Sequence, residues 1–318
     1  MTALEDVLDR VEKTLAEVGD RFPLHADNGM WRTTGRGSWA AGCWVGLLWL
    51  RAKVTGTPRA LRDAETWSAR LECWVDADTA TQGLILWYGA AAGSRLGLST
   101  APMGLALRGA RSLASRFDAR AGVVPWGTAF GDTPAVRARI DGVPGTLPLL
   151  VWAGNHGVAR AHTGQHLRLC GGAPGWWWDN GVWRPEDAPP PGWSRGDAWL
   201  LLAASDAVTW LGDDFTEPAH ALATAWPEHV PFAVGADGPL DTWAAAIAAV
   251  ALLKLGRHDE ATAILRRLED DHLVDGGLRN GCYDSRAGVA TDHELVWGDF
   301  FLALGLAIAG GAVGPHVL

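Results

Sequence analysis

The chain has 318 residues, 48% of them hydrophobic, a net charge of −9 and a pI of about 5.5. This acidic balance, without any clustered run of Lys and Arg, argues against nucleic acid as a partner. The four cysteines are scattered with no metal-ligand spacing, so we expect reduced thiols and neither a metal nor a cofactor.

The chain ends and apolar stretches predict a cytoplasmic protein. Residues Met1 to Asp6 lack the basic and apolar regions of a signal peptide. The most apolar stretch, Phe300 to Val313, is too short and too rich in glycine for a membrane span. We therefore expect no membrane partner, and the sequence leaves the oligomeric state open.

Twelve helical segments of two kinds alternate along the chain. Segments with an apolar stripe and a charged face, typical of helices on the outside of a fold, alternate with segments that are apolar on all sides. In chain order, beginning with a charged-faced segment, they are 4–18, 39–50, 57–75, 81–92, 102–117, 141–153, 158–169, 194–204, 215–226, 241–255, 259–270 and 294–308.

This alternation predicts an all-α fold built as two concentric rings. Six buried inner helices would be joined in turn to six outer helices, giving an (α/α)6 barrel that occupies residues 1–318 as one domain. No period-2 alternation is sustained, so no strands are expected. An open α-solenoid is the competing arrangement, but its inner helices would not all need to be apolar on every side.

Polar residues lie at the predicted starts of the six inner helices. They are Ser38 with Trp39, Gln82, Asp141, Ser194 with Arg195, Asp241 with Thr242, and Asp292 with His293. If the inner helices share one direction, these starts open on one mouth, where the positive helix ends favour an anion. Two stretches predicted as loops, 122–139 and 171–192, carry aromatic residues beside this mouth.

Tryptophan is unusually frequent in this sequence. There are 19 Trp residues against 2 Tyr and 7 Phe, more than the filling of a core requires. Flat apolar faces suit a cleft that binds a carbohydrate, so a saccharide is the expected small-molecule partner.

Five segments, in the right order, resemble a known enzyme family. They are WAAGCWVGLLWL at 39–50, Asp141-Gly142 with LLVW at 149–152, WSRGDAW at 193–199, DTWAAAIA at 241–248, and GCY with ELVWGDFF between 281 and 301. These segments are similar to those of the unsaturated glucuronyl hydrolases and the related unsaturated rhamnogalacturonyl hydrolases, glycoside hydrolase families 88 and 105. The matches span almost the whole chain.

The resemblance implies both a fold and a reaction. The family fold is the (α/α)6 barrel, and its enzymes act on the 4,5-unsaturated uronic acid that polysaccharide lyases leave at a non-reducing end. One Asp protonates C4 and then helps water to add at C5, after which the hemiketal opens and the sugar is released. The matching residue is Asp141, the expected general acid/base. Without the resemblance, Asp141 would be read as a helix N-cap.

Several residues are expected to bind the substrate. Arg195 and Trp199 lie one helical turn apart, where a guanidinium suits a uronate carboxylate and an indole suits stacking. The alternative is a structural pair. The other candidates are Trp39, Trp44 and Trp126, whose alternative is a place in the core, and His293 beside Asp292, whose alternative is no functional role. Trp178 is also a candidate, because the 176–178 run is either a specificity loop or a contact with a partner. His162 and His166 are weaker candidates, because most single histidines have no functional role.

The sequence departs from the family pattern in two places. Where the family has a second acidic residue, this chain has Thr81 and Gln82, and we expect Gln82 to orient water or substrate there. The family histidine before the 193–199 segment is replaced by the tryptophan run. Two alternatives therefore stay open: altered chemistry on another sugar-bearing metabolite, or non-catalytic binding of a saccharide.

Overall fold

The computed structural model describes residues 2–318 and is mostly helical. The helices are α1 (Ala3–Val18), α2 (Ala41–Thr55), α3 (Pro58–Ala69), α4 (Gln82–Leu86), α5 (Ala92–Arg95), α6 (Met103–Ser115), α7 (Thr146–Trp152), α8 (His156–Cys170), α9 (Ser194–Leu211), α10 (Thr216–Ala225), α11 (Thr242–Lys254), α12 (His258–His272) and α13 (Val296–Ala309). A π-helical turn at Trp87–Ala91 joins α4 to α5 in one continuous segment.

The helices form two concentric rings. Helices α2, α4 with α5, α7, α9, α11 and α13 make the inner ring, in which each contacts the next and α13 contacts α2. Every residue of α11 is buried, because it packs between two inner neighbours and the outer helix α12. Contact between α13 and α2 closes the ring, which confirms the (α/α)6 barrel and rules out the open solenoid.

Within residues 2–318, eight short strands lie in the segments between the helices of the barrel. The expectation that the chain has no strands was therefore wrong. The strands are β1 (Phe22–Asp27), β2 (Met30–Thr34), β3 (Arg137–Arg139), β4 (Gly175–Asp179), β5 (Val182–Pro185), β6 (Leu273–Val274), β7 (Gly277–Leu278) and β8 (Glu294–Leu295). They pair in the orders β2-β1-β8, β3-β4-β5 and β6-β7. The segment 171–192, predicted as a loop, thus contains the β4–β5 hairpin, which turns at Asn180 and Gly181 with positive φ angles of 48° and 100°.

Asp141 does not cap a helix. It lies in a 3-10 turn, Ile140–Gly142, and α7 begins only at Thr146 with Gly145 at its N-cap position. The Asp141 side chain is therefore held by an irregular segment, although the helix-cap interpretation was reasonable from the sequence. No helix within residues 2–318 has the length and apolar character needed to cross a membrane.

Close contact between α4 and α7 fixes the segments that carry Thr81 and Asp141. A Cβ added to Gly83 would lie 2.0 Å from Oγ1 and 2.3 Å from Cα of Thr146. The hydroxyl of Thr146 in turn donates a hydrogen bond to the carbonyl of Ala80 at 2.9 Å. Only glycine allows this approach, because any side chain here would meet backbone atoms.

Gly83→Ala is expected to destabilise the protein by at least about 2 kcal/mol, since overpacking against rigid neighbours strains the backbone. Urea unfolding followed by circular dichroism would measure the change. Gly164→Ala is the matched control, because a Cβ there meets nothing within 4 Å in the middle of α8, and the helix should gain up to about 1 kcal/mol. Equal stability of Gly83→Ala and the parent chain would contradict the close contact.

Candidate active site

A cavity of about 670 Å³ lies at one end of the inner ring. Five of the six predicted helix starts contribute to its lining, through Ser38 and Trp39, Thr81, Asp141, Arg195, and Trp243. The loops before α7 and α9 add Trp126, Phe130, Asp132 and Trp193, and the segment 283–287 closes the rim. Three of the predicted starts thus line the cavity through the expected residues, whereas Thr81 and Trp243 line it in place of Gln82 and of Asp241 with Thr242, and Asp292 with His293 does not reach it.

Asp141 is held in the cavity by a bidentate ion pair. The Nε and Nη2 atoms of Arg139 donate to Oδ1 and Oδ2 of Asp141 at 3.2 and 3.1 Å. The guanidinium of Arg139 also lies over the indole of Trp126, 4.3 Å from the ring centroid. Both charged side chains remain about one fifth exposed, at 23% and 18%, so a ligand in the cavity can reach them.

A second carboxylate, Asp132, fixes the Trp126 wall. The indole Nε1 of Trp126 donates to Oδ2 of Asp132 at 2.9 Å. Arg137 lies 3.6 Å from the same carboxylate and 2.6 Å from Oε1 of Glu186. These contacts orient Trp126 without occupying Asp141.

Stacked aromatic residues form the deep side of the cavity. The rings of Trp39 and Trp243 lie 6.1 Å apart at 23°, and the ring of Trp199 meets that of Trp243 edge-on at 5.8 Å. Trp297 and Tyr283 pack behind Trp39 at 4.6 and 6.5 Å. Trp39 is partly exposed whereas Trp199 and Trp243 are almost fully buried, so Trp39 presents the larger apolar face to a ligand.

Arg195 lies between two indoles beside this aromatic floor. Its guanidinium lies 4.8 Å from the Trp193 ring and 4.7 Å from the Trp243 ring. Its Nη2 donates to the carbonyl of Tyr283 at 2.6 Å, and its Nε lies 3.6 Å from Oδ2 of Asp241. Burial lowers the pKa of the Arg195 guanidinium, and the Asp241 carboxylate opposes this effect.

Asp241 is the buried counterion of Arg195. It lies at the start of α11, in the N-cap position, and its carboxylate has no exposure to solvent. Burial raises the pKa of Asp241 to about 7, while Arg195 and a hydrogen bond of 3.0 Å from the Ser194 hydroxyl oppose the rise. The charge on this carboxylate therefore changes near neutral pH.

Asp241 makes protein stability depend on pH in a defined window. Because its folded pKa of about 7 lies above the ordinary value of 3.8, the stability it contributes is full below pH 4 and is lost as the pH rises through 7. The loss is on the order of 4 kcal/mol, at about 1.4 kcal/mol per pH unit. Asp241→Asn should remove this part of the pH dependence, which urea unfolding at pH 5 and pH 8 would measure. An unchanged difference between the two pH values in the variant would contradict the assignment.

The structure places five of the predicted site residues in the cavity: Asp141, Trp39, Trp126, Arg195 and Trp199. Three other candidates lie elsewhere. Trp44 is 1% exposed in the core, because α2 turns its ring toward α3, where it lies 5.7 Å from the ring of Trp67. Trp178 lies on the β4–β5 hairpin, and the Nε2 of His293 is 3.9 Å from a carboxylate oxygen of Asp27 outside the cavity.

Gln82 also lies outside the cavity, so the structure does not support the role that we expected for it. Its Nε2 donates to the carbonyls of Trp74, at 2.8 Å, and Val75, and its Oε1 accepts from Arg116 at 2.7 Å. The residue that lines the cavity at this position is Thr81, whose hydroxyl lies 2.9 Å from that of Thr79.

His162 and His166 form a buried pair behind the Asp141 turn. Nδ1 of His162 accepts from the amide of Val124 at 3.0 Å, and its Nε2 lies 3.4 Å from the carbonyl of Gly142. Burial lowers the pKa of His162 well below its ordinary value and that of His166 to about 4. Both rings are therefore neutral; His162 contacts the turn at Gly142, and His166 packs against His162.

Sequence reasoning missed Arg139 as a site residue. The signal was present in Arg137-Ala138-Arg139, whose alternation is typical of a strand with one buried residue, and the structure shows that strand as β3. Tyr283 and Trp243 were also missed as lining residues, although both lie in segments that carry the family resemblance.

Several known proteins that are similar to this chain are unsaturated glucuronyl hydrolases. The curated unsaturated glucuronyl hydrolase of Bacillus sp. (strain GL1) is 26% identical over an alignment of 353 residues that covers 94% of this chain and 93% of that protein. The crystal structure of an unsaturated glucuronyl hydrolase from Bacillus sp. GL1, responsible for the degradation of glycosaminoglycan, superposes with a TM-score of 0.86 at 25% identity and covers 96% of this chain and 95% of the other.

A more distant structure has the same fold. The crystal structure of an unsaturated glucuronyl hydrolase specific for heparin has a TM-score of 0.87 at 19% identity and covers 97% of this chain and 96% of the other. No family model matches the sequence. The resemblance of this chain to the unsaturated glucuronyl hydrolases is therefore confirmed over nearly its whole length, together with the (α/α)6 barrel that those enzymes share.

Proposed function

We propose that this protein is a glycoside hydrolase that hydrates the C4=C5 enol ether of an unsaturated uronyl sugar, with Asp141 as general acid and base. The observation that carries the proposal is the position of Asp141. It lies in a cavity with an indole wall at Trp126 and a second guanidinium at Arg195. An acid, a stacking surface and a cation are the groups that a bound unsaturated uronate needs.

The reaction requires one carboxyl group to act twice. Asp141 in its acid form transfers a proton to C4, which leaves the positive charge on C5, shared with the ring oxygen. The resulting carboxylate then takes a proton from the water that attacks C5. The hemiketal opens by cleavage of the C5–ring oxygen bond, and the hemiacetal left at C1 expels the remaining sugar. The net change is the addition of one water molecule.

Arg139 has to leave Asp141 before the first step. Both oxygens of Asp141 are occupied by Arg139, and a carboxylate held in this way has no proton to give. The substrate's own carboxylate is a competing anion for a guanidinium. We therefore propose that substrate binding draws Arg139 away and that Arg195 supplies a further contact to the anionic sugar.

The predicted substrate contacts then divide by location. Trp39 and Trp199 are proposed as the apolar floor under the sugar, with Trp126 as its side wall. Trp44, Trp178, His293 and Gln82 are not assigned to the cavity, because their side chains contact other parts of the protein.

Thr81 favours a second candidate function. A neutral hydroxyl stands where an acidic residue is expected from the family pattern, so one negative charge is missing from the cavity. A sugar-bearing enol ether other than an unsaturated uronide is therefore the alternative substrate.

Incubation of the purified protein with unsaturated uronyl disaccharides tests the proposal. Hydration should remove the ultraviolet absorbance of the double bond and, in deuterium oxide, should place a single deuterium at C4 on one face, as seen by NMR. Turnover of a non-uronide enol ether alone would favour the alternative. Tight binding of a saccharide without turnover of any of these compounds would contradict an enzymatic function and favour a protein that only binds saccharides.

We also propose that residues 1–318 form one catalytic domain that acts in the cytoplasm. The free state of all four cysteines within residues 2–318 supports a reducing compartment.

A further inference from the structure

A second groove lies on the other side of the β3-β4-β5 sheet. This groove, which we call the hairpin groove, has a volume of about 530 Å³ and is open to solvent. Its walls include three indoles of the hairpin and three polar side chains from α8 and the loop after α6. They are Trp176, Trp178 and Trp183, with Arg120, Gln165 and Arg168.

The sheet separates this groove from the catalytic cavity. Trp176 pairs with Ala138 of β3, and Trp178 pairs with Trp183 of β5, so these indoles share one face of the sheet. Arg139, one residue from Ala138, lies on the opposite face and contacts Asp141. The strands thus carry catalytic contacts on one face and an aromatic surface on the other.

The indoles of the groove are more exposed than a core requires. All three remain partly exposed, and the rings of Trp178 and Trp183 lie 5.1 Å apart at 60°. Trp176 anchors its end of the surface through a hydrogen bond of 3.0 Å from Nε1 to the carbonyl of Ala173. Partly exposed indoles that are held in place offer fixed apolar faces for sugar rings.

The groove is positively charged. Arg120 and Arg168 are exposed, and neither has a carboxylate within 4.0 Å in the part of the chain from 2 to 318. No Asp or Glu lines the groove, although the whole chain carries a net charge of −9. Two guanidinium groups without ion-pair partners on an acidic protein favour the approach of an anion.

Two donors in the wall lack protein partners. The side-chain Nε2 of Gln165 and the indole Nε1 of Trp183 are buried without a hydrogen bond in residues 2–318. A buried donor without a partner destabilises the protein by about 1–3 kcal/mol, so it is rare unless a ligand or an ordered water completes it.

We propose that the hairpin groove is a second saccharide-binding site, specific for an acidic oligosaccharide and separate from the catalytic cavity. Indole faces would stack on the sugar rings, and Arg120 and Arg168 would bind their carboxylates or sulfates. The groove would hold part of an acidic glycan next to the enzyme while the cavity acts on a chain end.

Calorimetric titration with three saturated tetrasaccharides tests this site: tetragalacturonate, a sulfated chondroitin tetrasaccharide, and neutral maltotetraose. None of them has a double bond, so binding is measured without turnover. Both acidic probes should bind, and maltotetraose should bind at least about tenfold more weakly, because it offers no charge to the guanidinium groups. Tetragalacturonate carries only carboxylates, so its binding shows that carboxylates suffice, and tighter binding of the chondroitin probe, which carries both carboxylates and sulfates, is the result expected if sulfate contributes.

The combined Arg120→Ala and Arg168→Ala variant should bind the acidic probes at least about tenfold more weakly. Trp183→Ala should lower affinity by a similar factor through lost stacking, with circular dichroism as the check on folding. Arg266→Ala, an exposed arginine on α12, is the matched control and should bind as the parent chain does. Binding of a probe in the catalytic cavity should be the same in the parent chain and in these three variants, so the differences between them report on the hairpin groove.

Two results would overturn the proposal: equal binding of maltotetraose and the acidic probes, or undiminished affinity in the double arginine variant. Turnover of a short unsaturated disaccharide by the double variant should equal that of the parent chain, since neither arginine lines the cavity. A protein without any turnover would count against the proposed function and leave the titration result standing.

Discussion

Asp141→Asn is expected to lower kcat on an unsaturated uronyl disaccharide by about a thousandfold or more, because asparagine cannot transfer a proton. Asparagine has nearly the same shape as aspartate and keeps one of the two acceptors for Arg139, so the turn at Ile140–Gly142 should keep its fold. Loss of the double-bond absorbance under saturating substrate measures kcat. Calorimetry with the same disaccharide should show that binding survives the substitution.

Asp132→Asn is the matched control for this prediction. Asp132 also lines the cavity, but its carboxylate accepts a hydrogen bond from Trp126, which an asparagine oxygen can still accept. Its kcat should therefore stay within about tenfold of the parent value. Two results would contradict the catalytic role of Asp141. They are a kcat of Asp141→Asn above a tenth of the parent value, and a loss of kcat in Asp132→Asn that exceeds the loss in Asp141→Asn.

The ring architecture could be predicted from the sequence because the burial of a helix determines which of its faces are apolar. An inner helix such as α11 touches other helices on every side, so its residues are apolar all round. An outer helix such as α1 exposes one face and keeps a charged stripe, with a capping box at Thr2 and Glu5. The order of the two kinds of helix then fixes the architecture.

The orientation of individual side chains could not be predicted in the same way. Trp39 and Trp44 belong to one apolar segment, but a 3-10 turn at Ser38–Ala40 places Trp39 in the mouth, while α2 carries Trp44 into the core. Thr81 and Gln82 differ by one residue, and the helix start sends the threonine into the cavity and the glutamine toward Arg116. Such choices depend on local backbone geometry that apolar periodicity does not encode.

The hairpin shows a signal that was present and was missed. Asp179-Asn180-Gly181 is a strong two-residue turn signal between segments rich in tryptophan. Its strands are too short for sustained alternation, and tryptophan at 176, 177 and 178 hides the period of two. The pairing with β3 involves residues about 40 positions away, which a local sequence pattern does not reveal.

Arg195→Met is expected to impair both stability and substrate binding. The substitution leaves the Asp241 carboxylate buried without its cation, which destabilises a protein by about 3–5 kcal/mol. It also removes a charged contact to the substrate carboxylate, which should raise KM by about ten- to a hundredfold. Urea unfolding and initial-rate kinetics measure the two effects separately.

The double variant Arg195→Met with Asp241→Asn separates these two roles. Removing both charges should recover most of the lost stability, because the buried carboxylate is gone, while KM should stay raised. A substrate whose uronate is a methyl ester provides the second comparison. The parent chain and the double variant should bind the ester with similar KM, because the anion that Arg195 recognises is absent. Recovery of KM in the double variant, or an equal loss on the ester, would show that Arg195 supports the cavity wall without binding the carboxylate.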